Sequence, residues 1–189
     1  MLKNLREATR QLHEEIEQDN LAAKIMSHEI SLGEYKLLLL QNYIAYKITE
    51  EQISSHLDNW KSDKSLRLKK DLEFLNVDTS VLVGFNNRFK ISNKTEALGA
   101  TYVVEGSALG ALQISKELPH CQSVAKLDKP HYFNAERNSM EAWNSFLKRL
   151  RNSEFSEEEK SIAAQKAQET FRFFGEVFKL DITAVNFQE

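Results

Sequence analysis

Helix breakers are scarce in this chain. It has 6 glycines and 2 prolines in 189 residues, and Pro119 and Pro130 fall in one neighbourhood, so long uninterrupted helices are permitted everywhere else. The apolar spacing agrees. Leu5, Ala8, Leu12 and Ile16 recur at three- and four-residue steps, the buried stripe of an amphipathic first helix. Ser31-Leu-Gly-Glu34 is a capping-box pattern ahead of an apolar-rich stretch reaching Trp60, which predicts a second helix. A shorter one is expected over Lys64–Leu75. The segment Asp78–Ser92 carries turn chemistry at Gly84 and Asn86-Asn87 and reads as a loop, with Val81–Val83 as its one strand-like run. Asn93 with Glu96 opens a helix that Pro119 stops after Leu118. Residues 119–134 read as irregular. Helices are then expected over Ala135–Arg151 and, behind a Ser156 to Glu159 capping box, over Glu157–Leu180. Residues 181–189 read as a loose tail. With no internal repeat or low-complexity stretch, the expectation is one all-α domain over residues 1–189, a bundle of about six to eight helices.

Composition narrows what such a bundle would do. With 41% hydrophobic and 28% charged residues, the chain has the make-up of an ordinary globular protein. A net charge of -3, from 25 basic and 28 acidic side chains, offers no general attraction to a polyanion, so no nucleic-acid partner is expected. The single Cys121 cannot close an internal disulfide. Met1 to Asn20 is charged throughout and lacks the apolar core of a signal peptide. The most apolar short run, Leu37–Leu40, falls far short of the roughly 20 residues a membrane span needs. A cytoplasmic protein without a membrane span is the expectation.

Two places ask for more than a folding explanation. His13 borders the apolar face of the first helix, and Glu17 stands four residues on. At that spacing a carboxylate reaches the imidazole Nδ1–H and leaves the other nitrogen free as a metal ligand. On spacing alone, an ordinary surface pair accounts for it better. The second place is Gly99-Ala-Thr-Tyr-Val-Val-Glu-Gly106-Ser-Ala-Leu-Gly110-Ala. Three glycines in one helical pattern cost about 1 kcal/mol each relative to alanine, and close approach is the natural compensation. Gly106 and Gly110, one turn apart with Ala111 beside them, clear a strip for a flat ligand or for another helix; spacing does not choose between them.

These residues also carry a resemblance. Leu5-Arg-Glu-Ala-Thr-Arg-Gln-Leu-His13-Glu-Glu-Ile-Glu17 resembles the proximal helix of the haem oxygenases, and Tyr102-Val-Val-Glu-Gly106-Ser-Ala-Leu-Gly110 resembles their distal helix, in the family's order. Ala167-Gln-Glu-Thr-Phe171-Arg-Phe-Phe-Gly-Glu-Val-Phe178 is similar to the late aromatic helix that walls the family's pocket. The likeness extends from about Leu5 to Leu180 and is closer to the bacterial, biliverdin-producing members.

The resemblance implies that haem is both cofactor and substrate, held by His13 as axial ligand with Glu17 orienting it. Gly106, Ser107 and Gly110 would lie over the opposite haem face. Arg6 takes the position of a propionate partner; Lys148, Arg149 and Arg151 are weaker candidates, each more readily read as a solvated helix face. Phe171 would move from the core toward the pocket. Oxygen as co-substrate and electrons from a reductase or ferredoxin would yield biliverdin, carbon monoxide and ferrous iron. One departure stands out: animal-type members carry an aspartate where this chain has Ser107, which leaves the organiser of distal water open.

Three rival readings keep part of the pattern. A haem-delivery protein would bind through His13 without turnover. A thiamin-salvage hydrolase would need an activated cysteine, and nothing around Cys121 supplies one. A di-iron carboxylate bundle needs two Glu-x-x-His pairs, whereas Glu117-Leu-Pro-His120 is the sole candidate and Pro119 interrupts it. His28, His56, His120 and His131 show no mutual ligand spacing, and Tyr43, Tyr46, Phe173, Phe174 and Phe178 read as packing residues.

Overall fold

The periodic stretches become helices and nothing else regular. In a computed structural model, which describes residues 1–18, 20–127, 131–133 and 137–184, the order is α1 (Leu2–Gln18), α2 (Ala22–Met26), α3 (Leu32–Ser54), α4 (Lys64–Phe74), α5 (Lys94–Gly106), α6 (Ala108–Glu117), α7 (Arg137–Asn152) and α8 (Glu157–Phe178). Short 3-10 turns cover Ser80–Phe85, Leu118–His120 and Ile182–Ala184. No strand occurs among the described residues, and the chain is all-α. Pro130, Ala135 and most of the expected tail lie outside the described residues.

The helix starts form as their sequences dictate. Ser31 Oγ accepts from Glu34 N at 3.2 Å while Glu34 Oε2 accepts from Ser31 N at 2.9 Å; Ser156 and Glu159 make the same reciprocal pair ahead of α8. Asn93 Oδ1 accepts from Glu96 N at 3.0 Å to open α5. Each such cap stabilises its helix by about 1 kcal/mol.

Four expectations are corrected. α2, too short for periodicity to reveal, stands between the first two long helices. α3 ends at Ser54 rather than Trp60, because the Ser54 and Ser55 hydroxyls both donate to Glu51 O, at 3.0 and 2.8 Å, and compete with the backbone ladder. Val81–Val83 lies in a 3-10 turn, with Val83 exposed. The helix expected over 93–118 breaks at Ser107, whose hydroxyl donates to Val104 O at 2.7 Å directly after Gly106; a weak helix former followed by a side chain that takes a helix carbonyl is a physical cause of a kink.

α3 is apolar around most of its circumference and runs through the core, with Leu38, Leu39, Leu40, Ile44 and Ala45 buried. α8 packs along both α1 and α5. Gln168 Nε2 donates to Ala8 O at 2.9 Å and fastens α1 to α8. On the other side Gly99 meets Ala163: a Cβ built at Gly99 would lie 2.1 Å from the Ala163 carbonyl oxygen. Of the three glycines, this one serves helix-on-helix packing.

α2 is fastened to α3 by Lys24 and Glu34. The Glu34 carboxyl takes hydrogen bonds from the Lys24 ammonium first, then from the backbone and hydroxyl of Ser31, and its pKa is pulled down from 4.5 to about 2. A carboxyl with a depressed folded pKa contributes stability that is present above its unfolded value and lost as pH falls through the folded one. Glu34→Gln should therefore lower Tm at neutral pH and flatten its decline between pH 4.5 and about 2. Parallel Tm curves for the two proteins across that window would contradict this.

Candidate functional site

Because α1 and α5 flank α8, a space is left between them. It is a cavity of about 780 Å³, walled by α1 on one side and by the α5–α6 break on the other, within the roughly 300–1,000 Å³ typical of small-molecule sites. Leu5 and Thr9 bury the inner face of α1, and this register turns Arg6, Arg10 and His13 to the cavity. The His13 side chain is 56% exposed, with Nδ1 3.5 Å from Glu17 Oε2. Its ring stands edge-on to Phe171, centroids 5.7 Å apart at 70°. Phe171, Phe174 and Phe178, at helical three- and four-residue steps on α8, and Leu38, Asn42 and Tyr46, four residues apart on α3, complete the lining.

On the opposite wall stand Tyr102, Gly106, Ser107 and Gly110. A Cβ on Gly106 would meet only the Trp143 indole, at 3.7 Å, and one on Gly110 would meet nothing within 4 Å. These two glycines therefore open space instead of packing a helix. Tyr46 and Tyr132 are buried there, and burial raises both phenol pKa values above the ordinary one, so both stay neutral hydroxyls at physiological pH. Asp71 accepts from the backbone N–H groups of His131 and Tyr132, at 2.7 and 2.9 Å, and so places Tyr132 and Phe133 in the wall.

A sequence model of the heme oxygenase family matches residues 1–180 of this chain. The chain belongs to the haem oxygenase family. It is also similar to Heme oxygenase PigA of Pseudomonas aeruginosa, 33% identical over 84 residues, a stretch that is 44% of this chain and 42% of that protein. The match thus spans less than half the length of this curated relative.

Set against this haem oxygenase membership, the cavity brings together Arg6, His13, Glu17, Gly106, Ser107, Gly110 and Phe171. It does not bring in Lys148 or Arg149: both are exposed on α7, and Arg149 lies over the Phe146 ring at 5.7 Å. Arg151, also exposed, is outside the lining too. Arg10 lines the cavity instead; its place one turn after Arg6 and three residues before His13 was a legible signal. Tyr46, read first as a packing residue with a haem contact as the lesser outcome, lines the cavity; Tyr132, Phe133 and Trp143 line it too and had no local signal at all.

The rival chemistries lose their residues. Cys121 is fully buried, and burial, with Glu117 nearby, raises its thiol pKa, the opposite of an activated nucleophile. Glu117 pairs with His28 at 2.9 Å.

The donor set fits haem. One imidazole faces the cavity, side chains are cleared from the facing wall, two arginines stand on the α1 side, and aromatic rings fill the remainder. Gly110→Ala separates fold from site. The added methyl meets no protein atom and gains about 1 kcal/mol of helix propensity. Tm is expected to hold or rise while haem affinity falls about tenfold or more; unchanged affinity in a titration would show that Gly110 is not above the ligand.

Proposed function

We propose that this chain, acting as one domain, is a haem-degrading oxygenase. It would bind haem through His13 and open it with O2 and external electrons to biliverdin, carbon monoxide and ferrous iron. The observation that carries the reading is the pairing, across one cavity, of the His13 imidazole with a helix break whose Gly106 and Gly110 leave open space. Bound haem supplies the redox chemistry; the residues of the chain hold, orient and exclude.

Glu17 orients the His13 ring from the Nδ1 side, which leaves Nε2 as the ligating nitrogen. Arg6 and Arg10, on one face of α1, hold the propionates by charge-assisted hydrogen bonds. Gly106 and Gly110 would let the helix backbone come close to a bound haem, so helix position would set how the group is faced from this wall. No distal carboxylate is present at Ser107, and its hydroxyl proton is engaged by Val104 O. Its oxygen is also in a hydrogen bond with the Tyr46 hydroxyl, so Ser107 keeps one acceptor lone pair for a water. The phenyl rings of α8 exclude bulk water from the reacting edge. A separate reductase or ferredoxin supplies the electrons.

Titration of the purified protein with haemin, followed by reductant under air, tests this. A one-to-one imidazole-ligated complex whose Soret band decays as biliverdin and carbon monoxide appear is the expected result. A stable complex without ring opening would make the protein a haem carrier, and no complex would remove haem altogether.

A further inference from the structure

Behind the distal wall, away from the cavity, three ionisable side chains are buried together. Glu50, Lys64 and Glu105 are 8%, 5% and 4% exposed. Burying a charge costs several kcal/mol unless it is paired and hydrogen-bonded. The Glu50 carboxylate has an evident structural task. It accepts from the backbone N–H of Lys64 at 3.1 Å and of Ser65 at 3.2 Å, and from the Ser62 and Ser65 hydroxyls, and so caps the start of α4.

Glu105 has no such task. It stands in the last turn of α5, where the helix dipole disfavours a negative charge, and burial raises its pKa. What holds it is one specific hydrogen bond: Trp60 Nε1–H donates to its Oε1 at 2.8 Å. The Lys64 ammonium is the charge that most favours its ionised form. The other charges around this group are Glu50, Asp63 and Arg67, and Lys64 Nζ lies 5.9 Å over the Tyr46 ring. An apolar side chain of the same volume would pack at least as well by energy alone. The carboxylate ties the residue directly before Gly106 to the connection between α3 and α4, and the helix breaks two residues later.

We propose that Glu105 is a positioning residue for ring opening: held by Trp60, it fixes the helix break over the cavity and so selects the ring carbon attacked, without touching the ligand. This rests on the haem oxygenase reading of the cavity.

Three variants test it: Glu105→Leu and Glu105→Gln, each followed in two states, and Trp60→Phe, followed in the haem complex. In the ligand-free protein, Trp60 emission in a Trp143→Phe background should shift in Glu105→Leu and stay near its starting position in Glu105→Gln, which keeps the acceptor. In the haem complex, Glu105→Leu should lower kcat by about 10- to 100-fold and spread the product over several biliverdin isomers, with haem Kd close to that of the unaltered protein. Glu105→Gln should recover most of the single-isomer pattern. Trp60→Phe, which removes the donor that holds Glu105, should spread the isomers as well, and it carries the test with Glu105→Gln if Glu105→Leu fails to fold. An unchanged isomer ratio in folded, haem-binding Glu105→Leu or Trp60→Phe overturns the proposal, as does Trp60 emission indifferent to Glu105→Leu. If the unaltered protein neither binds nor opens haem, it is the haem oxygenase reading that has failed.

Discussion

His13→Ala is expected to abolish the imidazole-ligated haem spectrum and to reduce ring opening by roughly 100-fold or more, beyond what loss of an outer-sphere partner costs. No other imidazole lines the cavity: His28, His56, His120 and His131 are all outside it. The ligand-free fold should be almost untouched, since the His13 side chain is 56% exposed and its ring contact is with the edge of Phe171. Haemin titration, thermal unfolding of the ligand-free protein, and recovery of the spectrum by added imidazole together separate lost ligation from lost fold. Ring opening by His13→Ala at the rate of the unaltered protein would eliminate His13 as the axial ligand. Glu17→Gln should have a smaller effect of the same kind, because Glu17 reaches the metal only through the His13 ring.

The largest expected loss of stability comes from one methyl group outside the cavity. In Gly99→Ala the new carbon would have to occupy a point 2.1 Å from Ala163 O, a backbone atom in the middle of α8 that no rotamer change can move. α5 and α8 must separate, and overpacking of this kind costs about 3 kcal/mol or more. For a chain of this length that lowers Tm by roughly 10 °C. Haem binding should fall with it, because α8 carries Phe171, Phe174 and Phe178 into the cavity. Calorimetry decides: a Tm within a degree or two of the starting protein would mean that the two helices are not held this closely. Gly110→Ala, with the same change of side chain, is expected to do the reverse, sparing the fold and harming the site. The pair shows that glycines alike in sequence can differ wholly in role.

That contrast marks what the chain's own order of residues determines. Helix existence, the caps at Ser31, Asn93 and Ser156, and the grouping of Arg6 and His13 on one helical face follow from short-range rules, because the 3.6-residue period and cap hydrogen bonds act within a few residues. The Gly106 and Gly110 strip was visible for the same reason. Its partner across the gap was not: only the packing of α1 and α5 on α8 shows that Gly99 meets a helix, that Gly110 meets open space, and that Arg10 joins the site while Lys148 and Arg149 stay out. Tyr132 enters the wall because Asp71, 61 residues earlier, binds its backbone, and Trp143 because α7 carries it to Gly106. Contacts between residues so far apart in the chain arise when apolar helix faces are buried against one another, a long-range compromise that leaves no local pattern to read.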